Sequence, residues 1–402
     1  MSDKYENFGL GYSDYFICQV KKINTKNKNI LLAKVNTLGC QMNVNDSEKI
    51  LFILKNMGYD FTNDDENADL ILFNTCCVRE NPELKLFGKL GSIKKYKKIK
   101  KDIKIIICGC MMQQENAIKK IKKSYDFVDI IFGTFNINDF PRLLLENILN
   151  KKQVIAIKNN RDNLHEPHSI IKEKNKASIN VIYGCNNFCS YCVVPYVRGP
   201  EISRPFIDIL NQIKKLSDDG VNEILLLGQN VNSYGNDLKE NKINFAELLK
   251  AICKIKNIEK IRFMTSHPKD LSDDLIDTIS EEKKVCKELH LPIQSGSNKI
   301  LKLMNRKYTR ESYLELVKKI KNKILNINLT TDIIVGFPGE TEDDFNDTLD
   351  IVNRVKFNNA FTFIYSKREG TPAAHMTNQI GREIIDKRFQ KLLLVLRKHY
   401  IK

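Results

Sequence analysis

Residues 181–192 read VIYGCNNFCSYC and join the end of a predicted strand to three closely spaced cysteines, Cys185, Cys189 and Cys192. All three thiolates come from one short loop. A structural zinc site needs four ligands, and no fourth Cys or His follows at ordinary zinc spacing. A cubane iron–sulfur cluster held by only three cysteines leaves one iron open to another ligand. The triplet therefore predicts a cluster that takes part in chemistry, and disfavours a zinc knuckle.

The triplet follows the first of six predicted strands that alternate with helical segments over residues 177–402. Successive βα units of this kind predict an incomplete (β/α)6 TIM-like barrel, in which chemistry gathers at the carboxyl ends of the strands. The triplet stands at that end. The predicted strands are 178–183, 222–227, 260–265, 287–291, 328–335 and 360–365.

A separate α/β alternation covers residues 30–150 and predicts a parallel-sheet, flavodoxin-like domain with helices on its faces. Residues 1–29 show no regular period and are expected to form an N-terminal extension. Residues 151–176 are polar and are expected to be a linker. The predicted strands are 30–36, 68–74, 103–108 and 127–133, and the predicted helices are 44–57, 82–100, 113–123 and 140–149.

The composition favours a cytosolic globular protein. Its 402 residues are 42% hydrophobic and 28% charged. No apolar run approaches the roughly 18 residues of a membrane span, and the N-terminus lacks the pattern of a secretion signal. Because the cytosol keeps thiols reduced, the eleven cysteines are unlike a disulfide framework. Cys18, Cys253 and Cys286 lie outside any motif and are expected to be structural or surface thiols.

The formal net charge of +16 favours a polyanionic partner such as a nucleic acid. Much of the excess lies in lysine runs at 94–101, 119–123 and 318–323, where helical faces are predicted. Such runs are also typical of solvated helix surfaces. The charge alone leaves both interpretations open.

A second group of cysteines is spread through the first domain: Cys40 in TLGCQMN, Cys76 in FNTCCVRE and Cys110 in CGCMMQQ. Each lies at or just past the end of a predicted strand. Because the ends of parallel strands line one edge of a sheet, three cysteines from three βα loops can converge there. Cys77 and Cys108 are adjacent alternatives that the sequence leaves open.

The two groups together resemble the radical S-adenosylmethionine (SAM) methylthiotransferases. The resemblance covers roughly residues 30–395 and rests on TLGCQMNVNDSE, NTCCVRE, GCMMQQ and CNNFCSYCVVPYVRGPEISRP. It implies two [4Fe–4S] clusters: one on the triplet that exchanges its open site with SAM, and an auxiliary cluster on the first-domain cysteines. Within the family, NTC followed by VRE and CVVPY followed by RG and SRP look most like the tRNA branch, which makes 2-methylthio-N6-isopentenyladenosine beside the anticodon, at position 37.

The resemblance also implies SAM-binding positions in the barrel. Tyr191 would lie against the adenine, and Gln229 and Asn230 would contact the amino group of SAM. Gly228 and Gly336 would let the backbone approach the ligand closely. Without the resemblance, each of these segments would be interpreted as an ordinary βα turn or as ordinary packing.

The partners follow from the same resemblance: the anticodon loop of tRNA, a second SAM as methyl donor, and an electron donor such as a flavodoxin or ferredoxin, with no membrane and a monomeric chain. Arg198 and Arg204 are candidates for holding phosphates, with a purely structural role as the alternative for each. The family's C-terminal β-barrel RNA-binding domain is expected to be absent, and Pro200 stands where the family commonly has a basic residue. The alternatives are methylthiolation of threonylcarbamoyladenosine or of a ribosomal protein, and a non-catalytic iron–sulfur RNA-binding protein.

Overall fold

A computed structural model describes residues 12–26, 30–78, 80–160, 169–170, 173, 175–238 and 243–400. The chain forms two compact units. One comprises Met1–Lys172 with Tyr196–Gly199, and the other comprises Glu173–Pro195 with Pro200–Lys402. Within the described ranges, no helix has both the length and the apolar composition that crossing a membrane requires.

The first unit contains a six-stranded sheet in which every neighbouring pair is parallel, in the order β2-β1-β3-β4-β5-β6. Its central strands are continuous apolar runs buried on both faces, as parallel sheets covered by helices require. The strands are β1 (Leu31–Leu38), β2 (Tyr59–Phe61), β3 (Leu70–Thr75), β4 (Lys104–Gly109), β5 (Ile130–Phe132) and β6 (Val154–Ala156).

Five helices accompany this sheet: α1 (Tyr12–Lys26), α2 (Gln41–Asn56), α3 (Glu80–Ile99), α4 (Glu115–Ser124) and α5 (Phe140–Asn150). An apolar core joins one face of the sheet to α2 and α5, and Val20 of α1 is fully buried in it. The four predicted strands and four predicted helices all occur at or close to the expected positions.

Two predictions about the edges of this unit are wrong. The expected irregular extension over residues 1–29 is a helix at Tyr12–Lys26, because Phe16 and Val20 give it an apolar stripe that packs onto the core. Residues 1–11 and 27–29 lie outside the described part of the chain. The expected linker over 151–176 contains β6, which pairs with β5. The strand β2, which the sequence analysis missed, pairs with β1.

The second unit contains eight strands: β7 (Lys176–Asn180), β8 (Ile182–Tyr183), β9 (Ile202–Ser203), β10 (Glu223–Leu227), β11 (Lys260–Phe263), β12 (Glu288–His290), β13 (Asn328–Val335) and β14 (Asn359–Ile364). Six of them are parallel and occur at the predicted positions, in two ladders of order β11-β10-β7 and β12-β13-β14. A parallel bridge between Ile261 and Val285 connects β11 to the segment before β12. The order follows the chain, as in an incomplete TIM-like barrel.

Helices follow the barrel strands, and several begin at a side-chain cap. The hydroxyl oxygens of Ser272 and Thr341 accept the backbone N–H groups of Leu275 and Asp344, which stabilises the first helical turn. The helices are α6 (Val194–Arg198), α7 (Phe206–Asp218), α8 (Phe245–Cys253), α9 (Asp273–Glu281), α10 (Asn298–Leu303), α11 (Arg310–Lys323), α12 (Glu342–Val355) and α13 (Arg382–Tyr400).

One feature of the second unit was not predicted. The strands β8 and β9 form a short antiparallel pair, with Ile182 opposite Ser203 and Tyr183 opposite Ile202. This pair lies on either side of the cysteine triplet in the sequence, so it anchors both ends of the chain segment that carries the triplet.

Candidate functional site

The three first-domain cysteines lie at the carboxyl ends of three neighbouring strands. Cys40 follows β1 and occupies the N-cap position of α2, Cys76 follows β3, and Cys110 opens the turn after β4. Because β1, β3 and β4 are adjacent in the sheet, their ends meet at one edge. The shared placement arises from the fold, although the cysteines are far apart in the sequence.

The thiols at this edge interact directly. A hydrogen bond joins Cys40 and Cys76, and it lowers the pKa of the Cys40 thiol to about 5, with a further contribution from the charge of Arg198. The same bond, together with burial, raises the pKa of Cys76. Cys110 is close enough to both to influence them electrostatically. Three thiol groups from the ends of three strands therefore lie close together at this edge.

Cys108 differs from Cys110 in its surroundings. Cys108 lies inside β4, is fully buried in the apolar core of the sheet, and has a pKa raised by that burial. Cys110 lies beyond the end of the strand, within reach of Cys40. This difference favours Cys110 as a ligand. Cys77 is buried beside Cys76 and stays an alternative.

Two asparagines that the sequence analysis did not single out hold the cysteine loops together. The Asn43 side-chain amide donates to Asn74 Oδ1 at 2.9 Å, and the Asn74 amide donates to the Asn43 carbonyl at 2.8 Å. Asn43 Oδ1 in turn accepts a hydrogen bond from Cys40 Sγ at 3.3 Å. Both asparagines stand inside the quoted motifs, TLGCQMN and FNTC, so their closeness to cysteines was the available signal.

Arg198 is a further residue at this edge. Its Nε atom lies 3.1 Å from Cys110 Sγ and its Nη2 atom lies 2.9 Å from Asp46 Oδ2. The prediction that Arg198 holds a phosphate is wrong, because its side chain is buried and bound to these two partners. Arg204 is buried as well, and donates to the Asn180 carbonyl and the Gln212 side chain.

The triplet of the second unit lies in a tightly held loop. Gly184 and Phe188 both have positive φ angles, which bend the backbone directly before Cys185 and directly before Cys189. The Cys192 N–H donates to the Cys189 carbonyl at 2.9 Å. Ser190 holds the loop against the end of α10, since its hydroxyl donates to the Leu303 carbonyl at 2.7 Å.

The triplet thiols are enclosed and lie in each other's electric field. Burial raises the pKa of Cys185 to about 11 and that of Cys192 to about 12, and the neighbouring cysteines add to both shifts. Two side-chain N–H donors point at sulfur: Asn187 Nδ2 lies 3.4 Å from Cys185 Sγ, and Arg306 Nη1 lies 3.4 Å from Cys189 Sγ. Donors to sulfur are typical of the surroundings of metal-bound thiolates.

The predicted SAM positions lie at strand ends of the same unit. Asn230 is buried, its amide donates to Asp270 Oδ2 at 2.7 Å, and its Oδ1 atom has no hydrogen-bond partner among the described residues. The buried hydroxyl of Ser266, in the loop after β11, also has no hydrogen-bond partner among the described residues. These two loops are joined by the Val231 N–H, which donates to the Thr265 carbonyl at 2.9 Å. A buried polar atom without a protein partner can be satisfied by an ordered water or by a polar ligand, so these two atoms are candidate ligand contacts.

The remaining predicted positions are packed closely. A Cβ atom on Gly228 would lie 2.5 Å from the Ile182 side chain, and one on Gly336, where φ is 78°, would lie 2.7 Å from Ile385. Tyr191 packs against the apolar cluster that contains Phe337, and burial raises the pKa of its hydroxyl. Gln229 is half-buried beside Gly228. The glycines are therefore required by the packing of the loops, whether or not a ligand is bound.

Comparisons with known proteins identify the family of the chain. Residues 179–352 match the radical SAM superfamily, and residues 33–133 match the Uncharacterized protein family UPF0004. A tRNA-2-methylthio-N6-dimethylallyladenosine synthase from Alkaliphilus oremlandii is 54% identical over 369 residues, which cover 92% of this chain and 78% of that protein. The enzyme of the same name from Acetivibrio thermocellus is 53% identical over 384 residues, which cover 94% and 80%. The chain belongs to this synthase family.

Solved structures show the same fold at low sequence identity. The radical SAM methyltransferase TsrM from Kitasatospora setae, solved with cobalamin and a [4Fe-4S] cluster bound, aligns with a TM-score of 0.60 and 13% identity over 85% of this chain and 77% of that one. The cobalamin-dependent radical SAM enzyme OxsB aligns with a TM-score of 0.56 and 14% identity over 92% of this chain and 56% of that one. At such identity these likenesses establish the architecture alone.

The cysteine groups fit the [4Fe–4S] clusters that radical SAM synthases of this family use. In the described part of the chain, no three Cys, His, Asp or Glu side chains converge as ligands of a single metal ion. In a cubane cluster each thiolate binds a different iron, so the sulfurs need not meet at one point. Three thiols in each group suit iron–sulfur chemistry, in which thiolates are the usual ligands.

Proposed function

We propose that this chain transfers a methylthio group to C2 of N6-isopentenyladenosine at position 37 of tRNA. The observation that carries the proposal is the presence of two separate groups of three cysteines, one at the sheet edge of the first unit and one at the mouth of the barrel. A single group would account for a radical reaction and would leave the sulfur of the product without a source. The named relatives, which share half of the sequence, support the choice of substrate.

Cys185, Cys189 and Cys192 would hold one cluster, and Cys40, Cys76 and Cys110 would hold the other. When bound, the first supplies the electron that cleaves SAM to a 5′-deoxyadenosyl radical, and the second supplies the sulfur that another SAM methylates. An adenosine of the anticodon loop suits such chemistry, because bases of single-stranded loops can be splayed out into a pocket.

The chain's own residues would position the reactants and exclude water. Asn230 and Ser266 offer buried polar atoms without partners in the described ranges, so they are candidates to orient the polar end of SAM. Tyr191, between two cysteines of the triplet, packs against an apolar cluster of the same unit that contains Phe337. Apolar surroundings exclude water and would protect a carbon radical from side reactions with solvent.

The partners of the proposed reaction are tRNA and an electron donor such as a flavodoxin or ferredoxin. We further propose that the protein acts in the cytosol as a monomer. The net charge of +16 supports an association with tRNA, because Lys and Arg neutralise phosphates.

Mass spectrometry of tRNA tests the substrate. A strain that lacks the gene is expected to lose 2-methylthio-N6-isopentenyladenosine and to accumulate N6-isopentenyladenosine, and a plasmid copy of the gene should restore the methylthio form. The triple variant with Cys40, Cys76 and Cys110 replaced by Ala should fail to restore it. Cys253→Ala is the matched control, since Cys253 lies outside both groups and should restore the modification fully. An unchanged methylthio level in the deletion strain would refute the proposed substrate.

A further inference from the structure

Arg198 and Asp46 form an ion pair that is almost completely removed from solvent. Their side chains are 4% and 5% exposed, and the Nη2 and Oδ2 atoms are 2.9 Å apart. Removing two charges from water is strongly unfavourable unless each is well bonded. A buried ion pair of this kind therefore calls for an explanation other than the attraction of exposed charges.

The other hydrogen bond of Arg198 is directed at a cysteine sulfur. Its Nε–H is directed at Cys110 Sγ, at 3.1 Å, while Asp46 binds the other side of the guanidinium. The Asp46 carboxylate neutralises the positive charge of the guanidinium, while the Arg198 Nε–H group still donates to the Cys110 sulfur. Hydrogen bonds to the sulfur ligands of iron–sulfur clusters are one of the means by which proteins set the reduction potential.

The environment of Arg306 provides a contrast within the same chain. Arg306 donates to Cys189 Sγ at a longer distance of 3.4 Å, and its other bonds go to the Tyr308 hydroxyl and the Pro292 carbonyl. In the part of the chain that the structure describes, no carboxylate pairs with Arg306. Each cysteine group thus receives one buried arginine, and the neutralised pair belongs to the first domain.

We propose that Arg198 is a positioning residue that orients the Cys110 sulfur and, through its hydrogen bond, raises the reduction potential of the auxiliary cluster, with Asp46 as its counter-charge. The hydrogen bond withdraws electron density from the sulfur and so favours the reduced state of the iron. This inference rests on the proposed function, because it requires a cluster on Cys40, Cys76 and Cys110.

The test is a redox titration of the full chain with only the auxiliary cluster present. In a background with Cys185, Cys189 and Cys192 replaced by Ala, the anaerobically reconstituted protein should hold four irons per chain, and electron paramagnetic resonance then follows one cluster. Failure of this background to bind iron would refute the two-cluster proposal itself, separately from the role of Arg198.

In that background, Arg198→Met should keep its iron and shift the midpoint potential to a more negative value, and Arg198→Lys should shift it less. Arg204→Met is the matched control, since Arg204 is equally buried and donates to oxygen atoms of Asn180 and Gln212; its potential should equal that of the background. An unchanged potential in Arg198→Met with full iron content would overturn the proposal.

A second variant covers the case in which the unpaired Asp46 prevents folding. Arg198→Met combined with Asp46→Leu removes both charges together and keeps the site apolar. This double variant is expected to bind iron and to show the same negative shift. If both variants lost the cluster while Arg204→Met retained it, Arg198 would be needed only for folding. That outcome would overturn the proposed effect of Arg198 on the reduction potential.

Discussion

Asn43, in the first turn of α2, hydrogen-bonds Asn74, near the carboxyl end of β3, with 2.9 Å between Asn43 Nδ2 and Asn74 Oδ1. Both side chains are fully buried. Because Asn43 also accepts a hydrogen bond from Cys40 Sγ, the pair fixes the loop of one proposed ligand against the strand that leads to Cys76. The geometry of the auxiliary site thus depends on residues that do not bind iron themselves.

Asn74→Leu should therefore weaken both the fold and the site. The substitution removes the hydrogen bonds that Asn74 makes with the Asn43 amide and the Asn43 carbonyl, and the amide keeps only its longer bond to the Thr75 carbonyl at 3.3 Å. A buried hydrogen bond contributes about 0.5–1.5 kcal/mol, and a buried group left unsatisfied costs about 1–3 kcal/mol. We expect a lower unfolding midpoint in urea and less iron per chain after reconstitution. Asn56→Ala on the exposed side of α2 is the control and should change neither measurement. Full iron content in Asn74→Leu would contradict a structural role at the site.

Gly109, directly before Cys110, should tolerate no side chain. Its φ is 101°, and a Cβ atom there would lie 2.4 Å from both the Thr75 carbonyl oxygen and Asn74 Oδ1. Gly109→Ala is expected to displace Cys110 and to lower the iron content measured after reconstitution.

Gly88→Ala provides the matched control for this substitution. Gly88 lies within α3 and nothing stands within 4 Å of the added Cβ. Alanine in place of glycine inside a helix stabilises by up to about 1 kcal/mol, so the unfolding midpoint should rise slightly and the iron content should stay the same. Equal iron content in the two variants would show that the turn before Cys110 is not constrained as described.

His267 should make the stability of the chain depend on pH. Burial, and then the charges of Arg306 and Lys269, lower the pKa of His267 to about 2. The unfolded chain binds a proton on this imidazole below about pH 6.5, whereas the folded chain does not. Stability is therefore complete above pH 6.5 and is lost as the pH falls, by about 2 kcal/mol between pH 7 and pH 5.

His267→Asn tests this dependence by urea unfolding of the metal-free chain at several pH values. The asparagine oxygen can replace Nδ1 as acceptor for the Lys269 N–H, which lies 3.2 Å from it. The variant should lose about 2 kcal/mol less than the parent between pH 7 and pH 5. Parallel pH profiles for the two proteins would contradict a neutral buried His267.

Arg388 and Glu340 should stabilise the loop that contains Gly336. Glu340 Oε1 accepts from Arg388 Nη1 at 2.9 Å, and its Oε2 accepts from the Gly336 N–H at 3.1 Å. Breaking a buried pair by removing one partner costs about 3–5 kcal/mol, so Arg388→Met should lower the unfolding midpoint strongly and weaken SAM binding measured by calorimetry.

Arg382→Met is the control for this pair, because Arg382 and Asp386 form an exposed ion pair on α13. Such pairs contribute about 0–1 kcal/mol, and the variant should retain the parent's stability and SAM affinity. If Arg388→Met and Arg382→Met behaved alike, the buried pair would have no role in holding the loop.

The sequence predicts the regular elements well, because hydrophobic periodicity determines them. The six barrel strands and four of the six strands of the first domain occur as expected, with ends shifted by at most a few residues. The helix α1 was not predicted, because its overall hydrophobicity is low, although Phe16 and Val20 have helical spacing. The strands β2, β6, β8 and β9 are two or three residues long and gain their stability from pairing with neighbours, which a local pattern does not show.

The side chains that hydrogen-bond to the cysteines could not be predicted from the sequence, because these contacts join distant segments. Cys40 and Cys110 could be grouped because the ends of parallel strands lie at one edge. Arg198 reaches Cys110 from a segment 88 positions further along the chain, so neither spacing nor composition indicates the contact. Its charge suggested a phosphate ligand, and only its burial shows otherwise.

In the proposed reaction one cluster generates the radical and the other supplies the sulfur. Product analysis with SAM, reductant and tRNA tests these separate roles most directly. The parent protein should form both 5′-deoxyadenosine and methylthiolated tRNA. The variant with Cys40, Cys76 and Cys110 replaced by Ala should still form 5′-deoxyadenosine and no methylthiolated tRNA, and the variant with Cys185, Cys189 and Cys192 replaced by Ala should form neither. Methylthiolated tRNA from either variant would contradict the account.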